Sequence, residues 1–298
     1  MNNSHQRVGI VINSSAGTIK NGGVSIRKLK EIFESLQIEA EIIKMDGNPL
    51  EDSARFLLYK GIDAIIAAGG DGTINTVAAV AIKHNIPLGV IPLGTLNHFA
   101  KDLNIPLNVK EAAEVIARKK TILVDVGEVN GNIYLNNSSI GLYPKLVKHR
   151  DKQIETLQNK WLAMFTAFLN ILKRFPLMEV KIISDMEHVH CKTPFVFIGN
   201  NEYKMDLFNM GTREKITAGL LSLYYPVVTG RLSMFRFLFQ ALIKNLKQEK
   251  DFKIETVTGL TIESKKKHLE VSVDGEVIHL QPPLNYKILP LELNVIIP

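Results

Sequence analysis

The apolar run Ala64-Ile65-Ile66-Ala67-Ala68 gives way to Gly69-Gly70-Asp71-Gly72-Thr73-Ile74-Asn75, and this break constrains the chain more than any other stretch. The run is short, uninterrupted and closed by glycine, the pattern of a strand buried on both faces. Residues Thr73 to Lys83 then follow a helical pattern. Strand, glycine-rich turn and helix in direct succession imply a parallel α/β layer. Three glycines within four residues remove side chains where the backbone must turn sharply and lie close to another group. The free N–H groups that open the helix favour an anion at this turn. Asp71 stands among them, and a carboxylate there repels a phosphate unless a metal ion or a reacting hydroxyl lies between. That mixture points to phosphoryl transfer rather than to passive phosphate binding.

A second turn of the same kind follows. Ile86-Pro87-Leu88-Gly89-Val90-Ile91-Pro92-Leu93 runs into Gly94-Thr95-Leu96-Asn97, and His98 to Leu103 is helical in pattern. In a parallel sheet both turns open on the edge where ligands bind. Gly69, Gly70, Gly72 and Thr73 are therefore candidates to cradle phosphate through backbone N–H groups, with Gly94, Asn75, Thr95 and Asn97 beside them. Earlier in the chain, Arg7 to Ile12 reads as a buried strand, Ser25 to Leu36 as an amphipathic helix and Glu39 to Met45 as a strand. Pro49 opens a further helix that Gly61 closes, and Val109 to Arg118 reads as another helix.

From Ile122 the pattern changes to short strands. Asn130-Gly131 sits between two such runs, and Asp274-Gly275 sits between Leu269–Val273 and Glu276–Leu280; both dipeptides signal two-residue hairpins. Further strands are expected at 179–184, 195–199, 220–226, 252–257 and 259–263. Two apolar helical patterns, about 160–175 and 232–246, carry lysines and arginines at their edges, a composition suited either to packing over a sheet or to a membrane interface. The expected fold is α/β plus mainly β. A doubly wound nucleotide-binding domain over 1–124 precedes an antiparallel β-rich domain over 125–286.

The two turns together, GGDGTxN and then PLGTxNxFA, resemble the diacylglycerol kinase catalytic-domain family, which includes sphingosine kinases and bacterial lipid kinases. GGDGT alone is shared with NAD kinases; the second turn separates the groups. The resemblance runs from Asn13 to Asp274-Gly275-Glu276. It implies an ATP-dependent lipid kinase, acting on a hydroxyl of diacylglycerol or a related lipid, with Mg2+ accompanying ATP. The alternatives are an NAD-kinase-like enzyme with a soluble substrate and a non-catalytic lipid- or nucleotide-binding relative. By the same resemblance Asn13 and Gly17 belong to a turn beside the nucleotide phosphates, Asp71 and Glu276 are catalytic, and Glu276 accepts the hydroxyl proton. The resemblance also implies that the tail, 287–298, returns to the first domain.

Several positions depart from the family pattern. Ser14 replaces a proline and Thr18 a basic residue. His98 stands where the family has Asp, Thr76 where it has Glu, and Thr217-Ala218-Gly219 where it has Asp-Asp-Gly. The last change removes carboxylates that help hold a structural magnesium, leaving Asp125 as the surviving metal ligand of that set. His188, His190 and Cys191 lie close in sequence but lack the fourth ligand of a structural zinc site.

Composition agrees with this reading. At 298 residues the chain is long enough for two domains with full cores. One cysteine excludes an internal disulfide and fits a reducing, cytoplasmic compartment. The polar start at Met1 to Arg7 is unlike a signal peptide, and no apolar run nears the roughly 18 residues of a membrane span. The net charge is +6. Up to Asp125, 14 Lys and Arg face 13 Asp and Glu, so the basic excess lies in the second half. It suits a peripheral contact with an anionic membrane surface, and no nucleic-acid partner is implied.

Overall fold

A computed structural model describes residues 6–13, 25–44, 57–141, 177–203, 213, 215–226 and 252–298. The chain divides into two compact units. The first comprises Met1–Val126, Ile216–Ala218 and Leu289–Pro298, and the second Gly127–Lys215 and Gly219–Ile288. Gly17, most of the helix opened by Pro49, and both apolar helical patterns fall outside the described residues.

In the first unit the strands are β1 (Gln6–Ile12), β2 (Ile38–Lys44), β3 (Ala64–Gly69) and β4 (Leu88–Pro92). The helices are α1 (Ile26–Ser35), α2 (Asp71–His84), α3 (His98–Asp102) and α4 (Val109–Arg118). The strands pair in parallel in the order β2-β1-β3-β4, with Ile10 opposite Ile66 and Ala67 opposite Val90. Every residue of β3 and β4 is buried, because both faces of this layer are covered. On one face Val8, Ile10, Ile66 and Ala68 pack with Leu29 and Phe33 of α1 and with Ala113 and Ile116 of α4. On the other, a side chain at Gly9 would collide with Leu57 and Ile62, so the absence of one lets that segment close on β1. The last strand, β16 (Leu284–Ile296), reaches this unit through Val295, which pairs in parallel with Leu88 of β4.

The second unit is antiparallel. One sheet orders β12 (Phe252–Val257), β11 (Leu221–Pro226), β10 (Phe195–Asn200), β7 (Asn137–Gly141), β14 (Leu269–Val273) and β15 (Glu276–Leu280). Facing it across the core are β8 (Met178–Ser184), β9 (His188–Thr193), β13 (Gly259–Ser264) and the first half of β16. Ile140, Val196, Ile198, Leu223 and Val271 from the first set share one apolar cluster with Val180, Ile182, Ile262 and Tyr286 from the second. The hairpin of β5 (Thr121–Val129) and β6 (Asn132–Tyr134) turns at Asn130-Gly131, with φ of 45° and 82°. Asp274-Gly275 turns alike, at 47° and 88°. Both are the left-handed pairs that a tight hairpin requires.

Strands β7 and β9 have no counterpart in the sequence reading. β9 carries the run His188 to Thr193, whose apolar alternation is masked by histidines and lysine. Strand geometry puts His188 and His190 on one face and Cys191 on the other. His190 pairs with Glu179 at 3.0 Å, and Cys191 packs against the core. These three residues are held by packing and pairing and do not converge on one point.

Helix α4 illustrates how locally the elements are specified. Its N-cap Asn108 accepts from the N–H groups of Lys110 (2.9 Å) and Glu111 (3.3 Å). Asn108→Ala should lower stability by about 1 kcal/mol in urea denaturation, with Asn108→Ser close to the parent. Equal stability of Asn108→Ala and parent would show that the cap contributes nothing.

Candidate functional site

The two glycine-rich turns come together at the carboxyl ends of β3 and β4. Gly70 is the N-cap of α2, and no side chain caps that end. The first helical bond runs from the Ile74 N–H to the Gly70 carbonyl (3.0 Å). The N–H groups of Asp71, Gly72 and Thr73 thus open the helix with no intrahelical acceptor, the arrangement that attracts an anion. The Leu93 N–H donates to the Gly69 carbonyl (2.9 Å), which ties the end of β4 to the first turn.

The two turns touch through their glycines. A methyl group at Gly94 would lie 2.6 Å from the Gly70 Cα and 2.7 Å from Asn97 Oδ1. One at Gly69 would meet the Thr73 side chain at 2.5 Å. Asn97 adopts φ of 50° and braces the second turn from both sides. Its Oδ1 accepts the Gly94 N–H and its Nδ2 donates to the Gly94 carbonyl, both at 3.0 Å. Asparagine tolerates this left-handed backbone better than most side chains. Asp71 completes the link: its Oδ1 accepts the N–H of Phe99, in the first turn of α3, at 3.2 Å. Asn13 joins from β1, donating its N–H to the Ala68 carbonyl and its Nδ2 to Thr73 Oγ1, both at 3.1 Å.

The structure therefore brings together Asn13, Gly69, Gly70, Asp71, Gly72, Thr73, Gly94 and Asn97, with Asn75 on the following turn of α2 and Thr95 exposed at the rim. Thr76 bonds back along its own helix, its hydroxyl donating to the Gly72 carbonyl at 2.8 Å. His98 begins α3, and its enclosed Nε2 has no hydrogen-bond partner among the described residues. Asp125 lies in the same unit, 2% exposed. Its N–H donates to the Ile216 carbonyl (3.0 Å) and its Oδ1 accepts the Leu291 N–H (2.9 Å). The adjoining Thr217 and Ala218 bring no carboxylate, and the described residues contain no group of three or more Asp, Glu, His or Cys placed to hold a metal. This donor set does not fit a metal ion held by the protein alone.

Glu276 belongs to the second unit, exposed at the start of β15 opposite Val273. Beside it lies a buried polar cluster that the sequence did not announce. Asp274 accepts three backbone N–H groups, from Leu135 (2.7 Å), Asn136 (2.8 Å) and Asn137 (3.0 Å). Arg213, itself buried, donates to the Leu135 carbonyl and to Asn136 Oδ1 and lies 5.6 Å from the Tyr203 ring centroid. Burial pushes the Asp274 carboxyl up to about 6, against the opposing pull of the three N–H groups and Arg213.

With the geometry in hand, the first unit falls in the class of parallel α/β folds that open glycine-rich turns at their strand ends. Residues 7–129 match the model of the diacylglycerol kinase catalytic domain. A Synechocystis protein of uncharacterized function is 31% identical over 91% of this chain and 63% of its own length. A diacylglycerol kinase of Staphylococcus saprophyticus is 30% identical over 55% of this chain and 53% of its own. The chain thus spans less than two thirds of the length of these relatives. A crystal structure of a diacylglycerol kinase from Bacillus anthracis superposes with a TM-score of 0.67, covering 99% of this chain and 97% of that one at 22% identity. That likeness establishes a shared fold.

Two outcomes follow from these contacts. Gly94→Ala forces its methyl into backbone rather than into a flexible side chain, so it should cost about 1–3 kcal/mol in chemical denaturation; an unchanged midpoint would mean that the turns are not in contact. The second concerns Asp274, which as a free side chain has a pKa of 3.8. Between that value and about 6 the folded protein keeps a proton that the unfolded chain has lost, so stability falls as pH rises through this window. Relative to Asp274→Asn, which does not titrate, the parent should lose about 3 kcal/mol between pH 3.5 and pH 7. A difference that is flat with pH would contradict the assignment.

Proposed function

We propose that the chain is an ATP-dependent kinase that phosphorylates a hydroxyl of diacylglycerol or a related lipid. The observation that carries this reading is the meeting of two glycine-rich turns at the uncapped start of α2, within the stretch that matches the diacylglycerol kinase catalytic domain. In this account the N–H groups of Asp71, Gly72 and Thr73 receive the ATP phosphates. Gly94 and Thr95 line the other side, and Asn97 holds that turn in shape. Asn13 and Asn75 flank the cradle, and the family pattern adds Gly17, which lies outside the described residues. Asp71 holds the start of α3 through the Phe99 N–H, and its carboxylate acts on the transferred group in this reading. Magnesium arrives with ATP and neutralises phosphate charge. Asp125, whose Oδ1 is already engaged by Leu291, serves the packing of the strand ends rather than a second ion. Glu276 accepts the proton of the attacking hydroxyl, as its place after Asp274-Gly275 in the family pattern suggests. The domain roles follow: nucleotide on the first unit, lipid acceptor on the second. In this reading the protein is cytoplasmic and meets its lipid at a peripheral membrane contact; no helix among the described residues is long and apolar enough to cross a membrane.

Incubation with labelled ATP, magnesium and a panel of lipid and soluble acceptors tests the proposal. Label in a lipid product is expected. Label in a soluble acceptor would favour an NAD-kinase-like enzyme, and no transfer would favour a non-catalytic relative. Glu276→Gln should reduce turnover by about 10²–10⁴-fold. Asp71→Asn keeps an oxygen for the Phe99 N–H, so it should fold normally and still lose turnover about 100-fold. Near-parent rates in both variants would overturn the assignment.

A further inference from the structure

Leu135 and Asn136 join β6 to β7, and with Asn137, the first residue of β7, they have their backbone groups satisfied from two sides. On the amide side, all three N–H groups go to the single carboxylate of Asp274. On the carbonyl side, Leu135 receives Arg213 Nη1 and Asn200 Nδ2. The Asn136 carbonyl receives the Tyr203 hydroxyl at 2.9 Å and the Asn200 N–H at 2.9 Å. The Asn137 carbonyl receives the Asp274 N–H, also at 2.9 Å, which closes a ring between this segment and the turn. The surrounding groups Asn136, Asn137, Asn200 and Arg213 are all buried.

So many directed bonds around three residues exceed what a connection between strands needs. A tight hairpin at Asp274-Gly275 forms from its own backbone preferences without a carboxylate reaching across to a neighbouring segment. Burying an arginine and an aspartate has a desolvation cost that apolar residues of similar size would avoid. What the cluster fixes is the attitude of the turn, and Glu276 is the first strand residue after it, two positions from Asp274 and opposite Val273. The charge of Arg213 is delivered as a planar fork onto two different acceptors, a geometry that lysine cannot reproduce.

We propose that Asp274 and Arg213 are positioning residues that clamp Leu135–Asn137 from its amide and carbonyl sides and thereby fix the turn that presents Glu276. The inference rests on the proposed role of Glu276 as proton acceptor. Neither residue touches the reacting atoms. Each acts through the backbone of 135–137 on the direction of the Glu276 side chain, and a misplacement of about 1 Å at a catalytic base is worth about 100-fold in rate.

Steady-state kinetics and hydrogen exchange on the full chain test this together. Asp274→Ala and Arg213→Lys should each lower kcat about 100-fold, with KM for ATP and for lipid within twofold of the parent. Asp274→Asn keeps one acceptor oxygen and should recover part of that loss. In Asp274→Ala the amides of 135–137 should exchange at least tenfold faster while the strands of the first unit keep their protection. A raised KM at unchanged kcat would overturn the positioning role, as would no recovery in Asp274→Asn. Unchanged exchange at 135–137 would overturn the clamp itself. If the parent transfers no phosphate to any acceptor, the kinase reading fails, and the exchange data still decide whether the clamp exists.

Discussion

The close approach of Gly70 and Gly94 is the constraint on which the candidate site depends. Two backbone turns from neighbouring parallel strands can meet within van der Waals distance only if neither carries a side chain at the point of contact. Once they meet, the Leu93 amide can reach the Gly69 carbonyl, Asn97 can brace Gly94, and Asp71 can hold Phe99. The start of α2 is left with N–H groups that no side chain caps. Local chemistry and sheet topology thus work in the same direction. The parallel order brings both turns to one edge, and the glycines let them close on each other.

The second unit solves a different problem. Its apolar core, shared between two antiparallel layers, supplies ordinary cohesion. Next to that core sits a polar cluster of Asp274, Arg213, Asn136, Asn200 and Tyr203, joined by directed hydrogen bonds. Such a network adds little net stability over an apolar replacement, and it defines one geometry where an apolar cluster would tolerate several. Its position beside an exposed glutamate suggests why that geometry matters. Burial keeps the Asp274 carboxyl hard to ionise, so the cluster carries a cost near neutral pH.

Much of this was legible in the sequence because it is local. Ala64 to Asn75 spells out strand, turn and helix in one reading frame, and Asn130-Gly131 and Asp274-Gly275 announce their turns through left-handed backbone preference. The mixed fold, a parallel α/β layer followed by antiparallel strands, followed from those patterns. What was not legible depends on distance along the chain. Arg213 meets Leu135 across 78 positions, and Asp274 meets the same segment across 139. Neither contact leaves a spacing to read. β9 escaped because an edge strand with His188, His190 and Lys192 lacks the apolar alternation that marks its neighbours. Asn97 bonds Gly94 through both Oδ1 and Nδ2, and the motif alone does not reveal that it shapes the turn. The enclosed Nε2 of His98 is a feature of the fold that composition could not supply.

The central claim is that the open start of α2, facing Gly94, is where nucleotide phosphates sit. A crystal structure of the chain with magnesium and a non-hydrolysable ATP analogue measures this directly. The account predicts phosphate oxygens within about 3 Å of the Asp71, Gly72 and Thr73 amides, the usual N–H to oxygen distance, with Gly94 and Thr95 on the opposite side. A nucleotide bound elsewhere, with those amides facing only solvent, would contradict it.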